Sequence, residues 1–125
     1  MTELLYLACP YSHPDPEVRR QRFHTANKAA ALLIAHGYSV FSPISHSHPI
    51  AEDSNLNPND PDLWTRIDLD ILQHCTRLLV LKLPGCDESF GIVRETQFAS
   101  SHNIPIAFVN PETLISDVQG LFSEN

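Results

Sequence analysis

The chain has 125 residues, of which 42% are hydrophobic, and a formal net charge of −7. That length suits one domain with a modest core, the acidic balance excludes generic nucleic-acid binding, and no apolar run is long enough to span a membrane. The three cysteines, Cys9, Cys75 and Cys86, fit neither a zinc nor a CxxC spacing and read as reduced thiols.

Residues 4–9 are almost wholly apolar, the pattern of a strand buried on both faces. The residues before and at its start lack the basic region of a signal peptide, so the cytoplasm is the expected compartment. Pro10, Pro14 and Pro16 forbid continuation and make 10–16 a loop, with Asp15 placed to cap a helix whose first position is Pro16. That helix runs from about residue 17 to 36, with Phe23, Ala26, Ala30, Leu33 and Ile34 as its buried stripe, and Gly37 ends it. Residues 38–42 form the second strand. Residues 43–59, rich in Ser, His, Pro and Asn, read as a long loop, and its length suggests a lid.

Asp60 and Pro61 open the next helix, which carries Trp64, Ile67, Asp68, Asp70, Ile71 and Leu72 and ends near Cys75. Trp64, Asp68 and Ile71 share a face, which puts Asp68 either at the edge of a pocket or at the edge of the core. The third strand is 77–83. After the turn at 84–87, Ser89 caps a helix to Ser101 with Phe98 and Ala99 on its apolar side. The fourth strand is 104–109. Asn110 then caps a last helix with Pro111 at its first position, and the tail 123–125 frays.

Strands alternating with helices imply a single α/β domain over residues 1–125, a doubly wound parallel sheet of flavodoxin or Rossmann type with strand order 2-1-3-4. In such sheets the crevice lies at the carboxyl ends of the strands, here the loops 10–16, 43–59, 84–90 and 110–112.

Several groups could carry chemistry there. Ser89-Phe90-Gly91-Ile92-Val93-Arg94-Glu95 is a strand–loop–helix junction in which Gly91 lets a ligand approach the backbone and Glu95 lies one to two turns in; the plainer alternative is a capped helix with a surface glutamate. Two carboxylates converging with a tyrosine, drawn from Tyr6, Asp68, Asp70 and Glu95, suit glycosidic chemistry, although spacing does not show that they meet. Arg19, Arg20, Arg22 and Lys28 are four of eight basic residues and mark either an anionic ligand or a solvated helix face. His46 and His48, with Asp53 nearby, are half of a metal site with no clear third ligand. Cys9 follows the first strand, as a small buried residue or, less simply, as an activated thiol. No P-loop and no Gly-x-Ser-x-Gly elbow is present.

Four segments resemble the nucleoside 2-deoxyribosyltransferase superfamily, which includes base-exchanging transferases and 2′-deoxynucleoside 5′-monophosphate N-glycosidases. They are Tyr6-Leu-Ala-Cys-Pro-Tyr-Ser12, Val40-Phe-Ser-Pro-Ile44, Asp68-Leu-Asp-Ile-Leu-Gln-His-Cys75 and Ser89-Phe-Gly-Ile-Val-Arg-Glu95, within residues 4–109. The resemblance implies that Glu95 is a nucleophile, that Asp68 assists at the sugar and departing base, and that Tyr6 positions Glu95. It implies Tyr11 as a base-stacking residue and Ser12, Ser89 and Gly91 as substrate contacts. Ser89, with Arg19 and Arg22, leans towards a phosphorylated ligand. The first loop departs from the nucleotide-hydrolase pattern in having Cys-Pro-Tyr-Ser in place of glycines, and Cys75-Thr76 stands where the family often has Cys-Asp or Ala-Asp. The implied activity is cleavage or transfer of the N-glycosidic bond of a (deoxy)nucleoside or its 5′-monophosphate, without metal or organic cofactor. The expected partners are that small molecule and further copies of the chain as a homodimer or larger homo-oligomer, with neither a nucleic-acid polymer nor a membrane. The alternative is a nucleotide-sensing module of the same fold.

Overall fold

A computed structural model of the chain describes residues 3–122; the tail at 123–125 lies outside them. Four strands, β1 (Leu4–Ala8), β2 (Ser39–Phe41), β3 (Arg77–Leu81) and β4 (Ile106–Val109), pair in parallel in the order β2-β1-β3-β4. The five helices among the described residues are α1 (Pro16–Ala35), α2 (Pro43–Glu52), α3 (Pro61–Leu72), α4 (Phe90–Ser101) and α5 (Leu114–Phe122). The expected α/β class and strand order are both present.

The side-chain alternation of the two central strands divides the core. Leu5 and Leu7 of β1, with Leu79 and Leu81 of β3, pack against Ala26, Ala30 and Leu33 of α1 and Val118 of α5. Tyr6 and Ala8, with Leu78 and Val80, face Leu72 of α3 and Ile92 and Ala99 of α4. Each fully buried leucine removes apolar surface worth ~2 kcal/mol from water. The same parity decides where chemistry falls, because it aims Tyr6 at α4.

Helix starts follow the sequence closely. Asp15 Oδ1 accepts the Glu17 N–H at 2.9 Å and Asp60 Oδ1 accepts the Leu63 N–H at 3.2 Å, each just before a proline at the first helical position. Gly37, at φ 94°, turns the chain out of α1.

Four expectations need correction. The first half of 43–59 is the helix α2: Ser42 caps it, its hydroxyl accepting from Ser45 N at 3.4 Å and from Ser45 Oγ at 2.8 Å. Pro49 lies inside α2, where its missing N–H leaves the helix one bond short without ending it. Buried Ile44, Ser47, His48 and Ala51 make α2 a packed wall, with only 53–60 left as a loop. On α1 the buried positions are Arg19, Ala26, Ala29, Ala30 and Leu33, whereas Ile34 is 56% exposed, one residue around the helix from the stripe. Asn110 makes no side-chain cap. A short turn at Pro111–Thr113 intervenes, and Asp117 Oδ2 accepts from Asn110 N at 2.9 Å and the Thr113 hydroxyl at 3.0 Å. Finally, β4 begins at Ile106: Asn103 adopts φ 59°, and Ile104 N donates back to Ala99 O at 2.9 Å, so residue 104 still belongs to the end of α4.

Candidate active site

Ser89 Oγ accepts the Ile92 N–H at 3.2 Å and starts α4, which puts Glu95 on the second turn facing the sheet. Glu95 is 5% exposed, and its Oε2 accepts the Tyr6 hydroxyl at 2.5 Å. Tyr6 is fully buried on the central strand, so the bond ties β1 to α4 across 89 residues of sequence. Burial pushes the Glu95 carboxyl up to about 8; Tyr6's hydrogen bond opposes this and the Asp68 carboxylate reinforces it. Burial also raises Asp68, to about 7. The Tyr6 phenol is raised far above its ordinary value by burial and by both carboxylates, so it stays a donor. The two carboxyls and the phenol therefore influence one another electrostatically.

A cleft of about 250 Å³ opens above them. One wall is Glu95, with Trp64, Thr65 and Asp68 of α3; the other includes Tyr11 from the loop after β1 and Ile44 and Ser47 of α2; Ser89, Phe90 and Gly91 at the start of α4 also line it. Asn59 links the loops on either side: its Nδ2 donates to His13 O, and its Oδ1 accepts from His13 N, both at 3.2 Å. Trp64 Nε1 donates to Asn57 O at 2.7 Å, fixing the indole at the cleft.

A second cavity, of about 290 Å³, shares Tyr11, Ser12, Ser89 and Phe90 with the first and adds His13, Arg22, Gly85 and Glu88. Gly85 has φ 94°, and a Cβ there would stand 2.8 Å from Arg22 Nη2, so both the turn and the cation's position require glycine. Arg22 Nη1 donates to Ser12 O at 3.1 Å.

The basic cluster thus separates. Arg22 reaches a cavity, Arg20 pairs with Glu17 at 2.7 Å on the surface, and buried Arg19 lines neither cavity but donates Nη1 to His13 O at 2.5 Å. Asp70 is exposed and outside the cleft, and the 110–112 connection lines neither cavity because β4 is an edge strand. Cys9 lines the cleft, but burial and Glu95 push its thiol up to about 12, which removes the activated-thiol alternative. His46 is exposed beside Phe41, while buried His48 contacts the Tyr11 hydroxyl at 2.6 Å; the two rings engage different partners. Among the described residues, no three His, Cys, Asp or Glu side chains group as metal ligands. Thr65, Ser47 and Asn59 line the cleft without a signal of their own in the sequence; Thr65 is carried by α3, Ser47 depends on α2 being helical, and Asn59 on a loop tether that no periodicity records.

A family described as "Domain of unknown function (DUF1937)" matches residues 3–110, and the chain belongs to that family. Comparison with curated proteins gave no match.

Proposed function

We propose that this member of the family cleaves or transfers the N-glycosidic bond of a (deoxy)nucleoside or its 5′-monophosphate. The supporting observation is the buried Glu95 carboxyl, held by the Tyr6 hydroxyl at 2.5 Å, lining a cleft together with Asp68. In this scheme the Glu95 carboxylate attacks C1′, and a C–O bond forms as the bond from C1′ to the base nitrogen breaks. The electron pair leaves with the base, which takes a proton from Asp68. Water or a second base then displaces Glu95 from C1′, giving up its proton to the Asp68 carboxylate and returning the Glu95 carboxylate with net retention. An oxocarbenium-like transition state places positive charge beside Glu95 and favours its ionised form where the free protein favours the neutral one. Tyr11, Trp64 and Phe90 offer aromatic surface to the base. Ser89, shared by the two cavities, and Arg22, in the second, suit a 5′-phosphate near the start of α4.

The test is chromatographic assay of nucleosides and their 5′-monophosphates, with and without an added free base. Glu95→Gln is expected to lower turnover at least about 10³-fold while the fold persists. Full activity in a folded Glu95→Gln protein would remove the mechanism.

One observation favours a second reading, a nucleotide-sensing module. A carboxyl titrating at about 8 is mostly neutral at pH 7 and can hold ribose hydroxyls without attacking. Nucleotide binding without product, retained in Glu95→Gln, would select it.

A further inference from the structure

We infer that His48 is a positioning residue: by accepting the Tyr11 hydroxyl proton at Nδ1, and with Arg19 beside the same hydroxyl, it fixes the Tyr11 ring as the stacking wall of the cleft. The inference rests on the reading of the cleft as a nucleoside site.

Tyr11 comes from an irregular loop and is only half-buried, yet it lines both cavities. Such a side chain needs a tether to present one face. The tether is His48 on α2, whose Nδ1 lies 2.6 Å from the hydroxyl oxygen. His48 is itself immobilised. It is 5% exposed and stacks on Phe23 of α1 with centroids 4.3 Å apart and planes at 26°, while the Tyr11 ring meets it edge-on at 81°. Arg19 holds the loop from below, donating Nη1 to His13 O at 2.5 Å and Pro14 O at 3.3 Å. Its positive charge also acts on the Tyr11 hydroxyl, lowering its pKa against the larger effect of burial, which raises it. Its Nε is buried with no partner among the described residues.

In the inferred clamp the phenol gives its single proton to Nδ1, the ring nitrogen 2.6 Å away. His48 is then the neutral tautomer carrying its proton on Nε2. Burial, opposed by Glu52 and aided by Arg19 and His24, lowers the His48 pKa and favours this neutral form. These groups, with Tyr11, are the charged and titratable neighbours of the ring from α2, α1 and the loop. A hydroxyl committed in this way has no proton left for a ligand. Tyr11 therefore offers the cleft its ring, which suits a flat heterocycle and reads none of its hydrogen-bonding edges.

Two independent measurements test this. The first needs no ligand: ¹⁵N-histidine NMR of the full chain reports the His48 tautomer and its titration. An unprotonated Nδ1 is expected, with a pKa that rises in Tyr11→Phe because the neutral ring loses its donor. A proton on Nδ1, or a titration indifferent to Tyr11→Phe, overturns the clamp whatever the protein binds. The second uses the four deoxynucleoside 5′-monophosphates as probes, followed by the fluorescence of Trp64, the one tryptophan of the chain. For the nucleotide bound best, Tyr11→Phe and His48→Ala are each expected to weaken binding about tenfold, and the double variant no further. His48→Gln, whose carbonyl can accept the same hydrogen bond, restores most of the loss. Where turnover is measurable, the loss appears in KM with kcat little changed. Additive losses, no rescue by glutamine, or equal losses in kcat would make His48 merely structural. If none of the four nucleotides binds the unaltered protein, the nucleoside reading of the cleft falls and the stacking role falls with it, while the NMR result still judges the clamp.

Discussion

A carboxyl buried as deeply as Glu95 stays neutral around pH 7 unless something compensates its charge. Its folded-state value, about 8, lies above the ordinary 4.5, so the neutral form stabilises the fold. That contribution is fully present below the ordinary value and is lost as pH rises through the folded one. Glu95→Gln keeps the shape and the acceptor for Tyr6 but cannot ionise. Its urea midpoint should match the parent near about pH 5 and exceed it near about pH 9, by on the order of a few kcal/mol in stability. Parallel curves for the two proteins would mean that Glu95 is not held neutral. The proposed catalysis has the opposite requirement. The productive form has Glu95 ionised and Asp68 protonated, so kcat/KM should peak between the two coupled titrations, near 7 and 8, and fall on both sides. Tyr6→Phe removes the hydrogen bond that favours ionised Glu95 and should lower the maximum of that profile.

At the scale of elements, caps and prolines were legible and one helix was not. Asp15-Pro16 and Asp60-Pro61 announce α1 and α3 because a side-chain acceptor followed by a residue without an N–H suits a helix start and little else. Ser42-Pro43 carries the same signature, but Pro49 and the His/Ser composition obscure it, and tertiary packing of Ile44, Ser47 and Ala51 outweighs the lost hydrogen bond. If the Ser42 cap sustains α2, Ser42→Ala should cost about 1 kcal/mol and lower the midpoint of thermal unfolding by roughly 3 °C. An unchanged midpoint would assign the helix to packing alone. Of the site, Glu95, Asp68 and Tyr6 were nameable only through the resemblance of their segments to a known family, since spacing alone does not show that they meet. The separation of Arg19 from Arg22 was not, because neighbours on one helix turn diverge according to which loop carbonyls lie nearby.

At the scale of the molecule, alternating strands and helices give a parallel sheet, here in the order 2-1-3-4, with helices packed on both faces. No described helix is long and apolar enough to cross a membrane. The resemblance implies a homo-oligomer, and gel filtration with light scattering is expected to give at least twice the 14.0 kDa chain mass. A mass of one chain would leave the cleft to function unaided.

The sheet also divides labour between the two sides of the cleft. Glu95 and Asp68 belong to α4 and α3 on one face, with Tyr6 joining them from β1, whereas Tyr11, Ile44 and Ser47 belong to the β1–α1 loop and α2. Substitutions in the second group alter what the cleft admits while leaving the hydrogen bond between Tyr6 and Glu95 untouched. A lineage built on this frame can therefore drift in its choice of ligand along residues 10–15 and 43–60 while inheriting the proposed reactive centre intact.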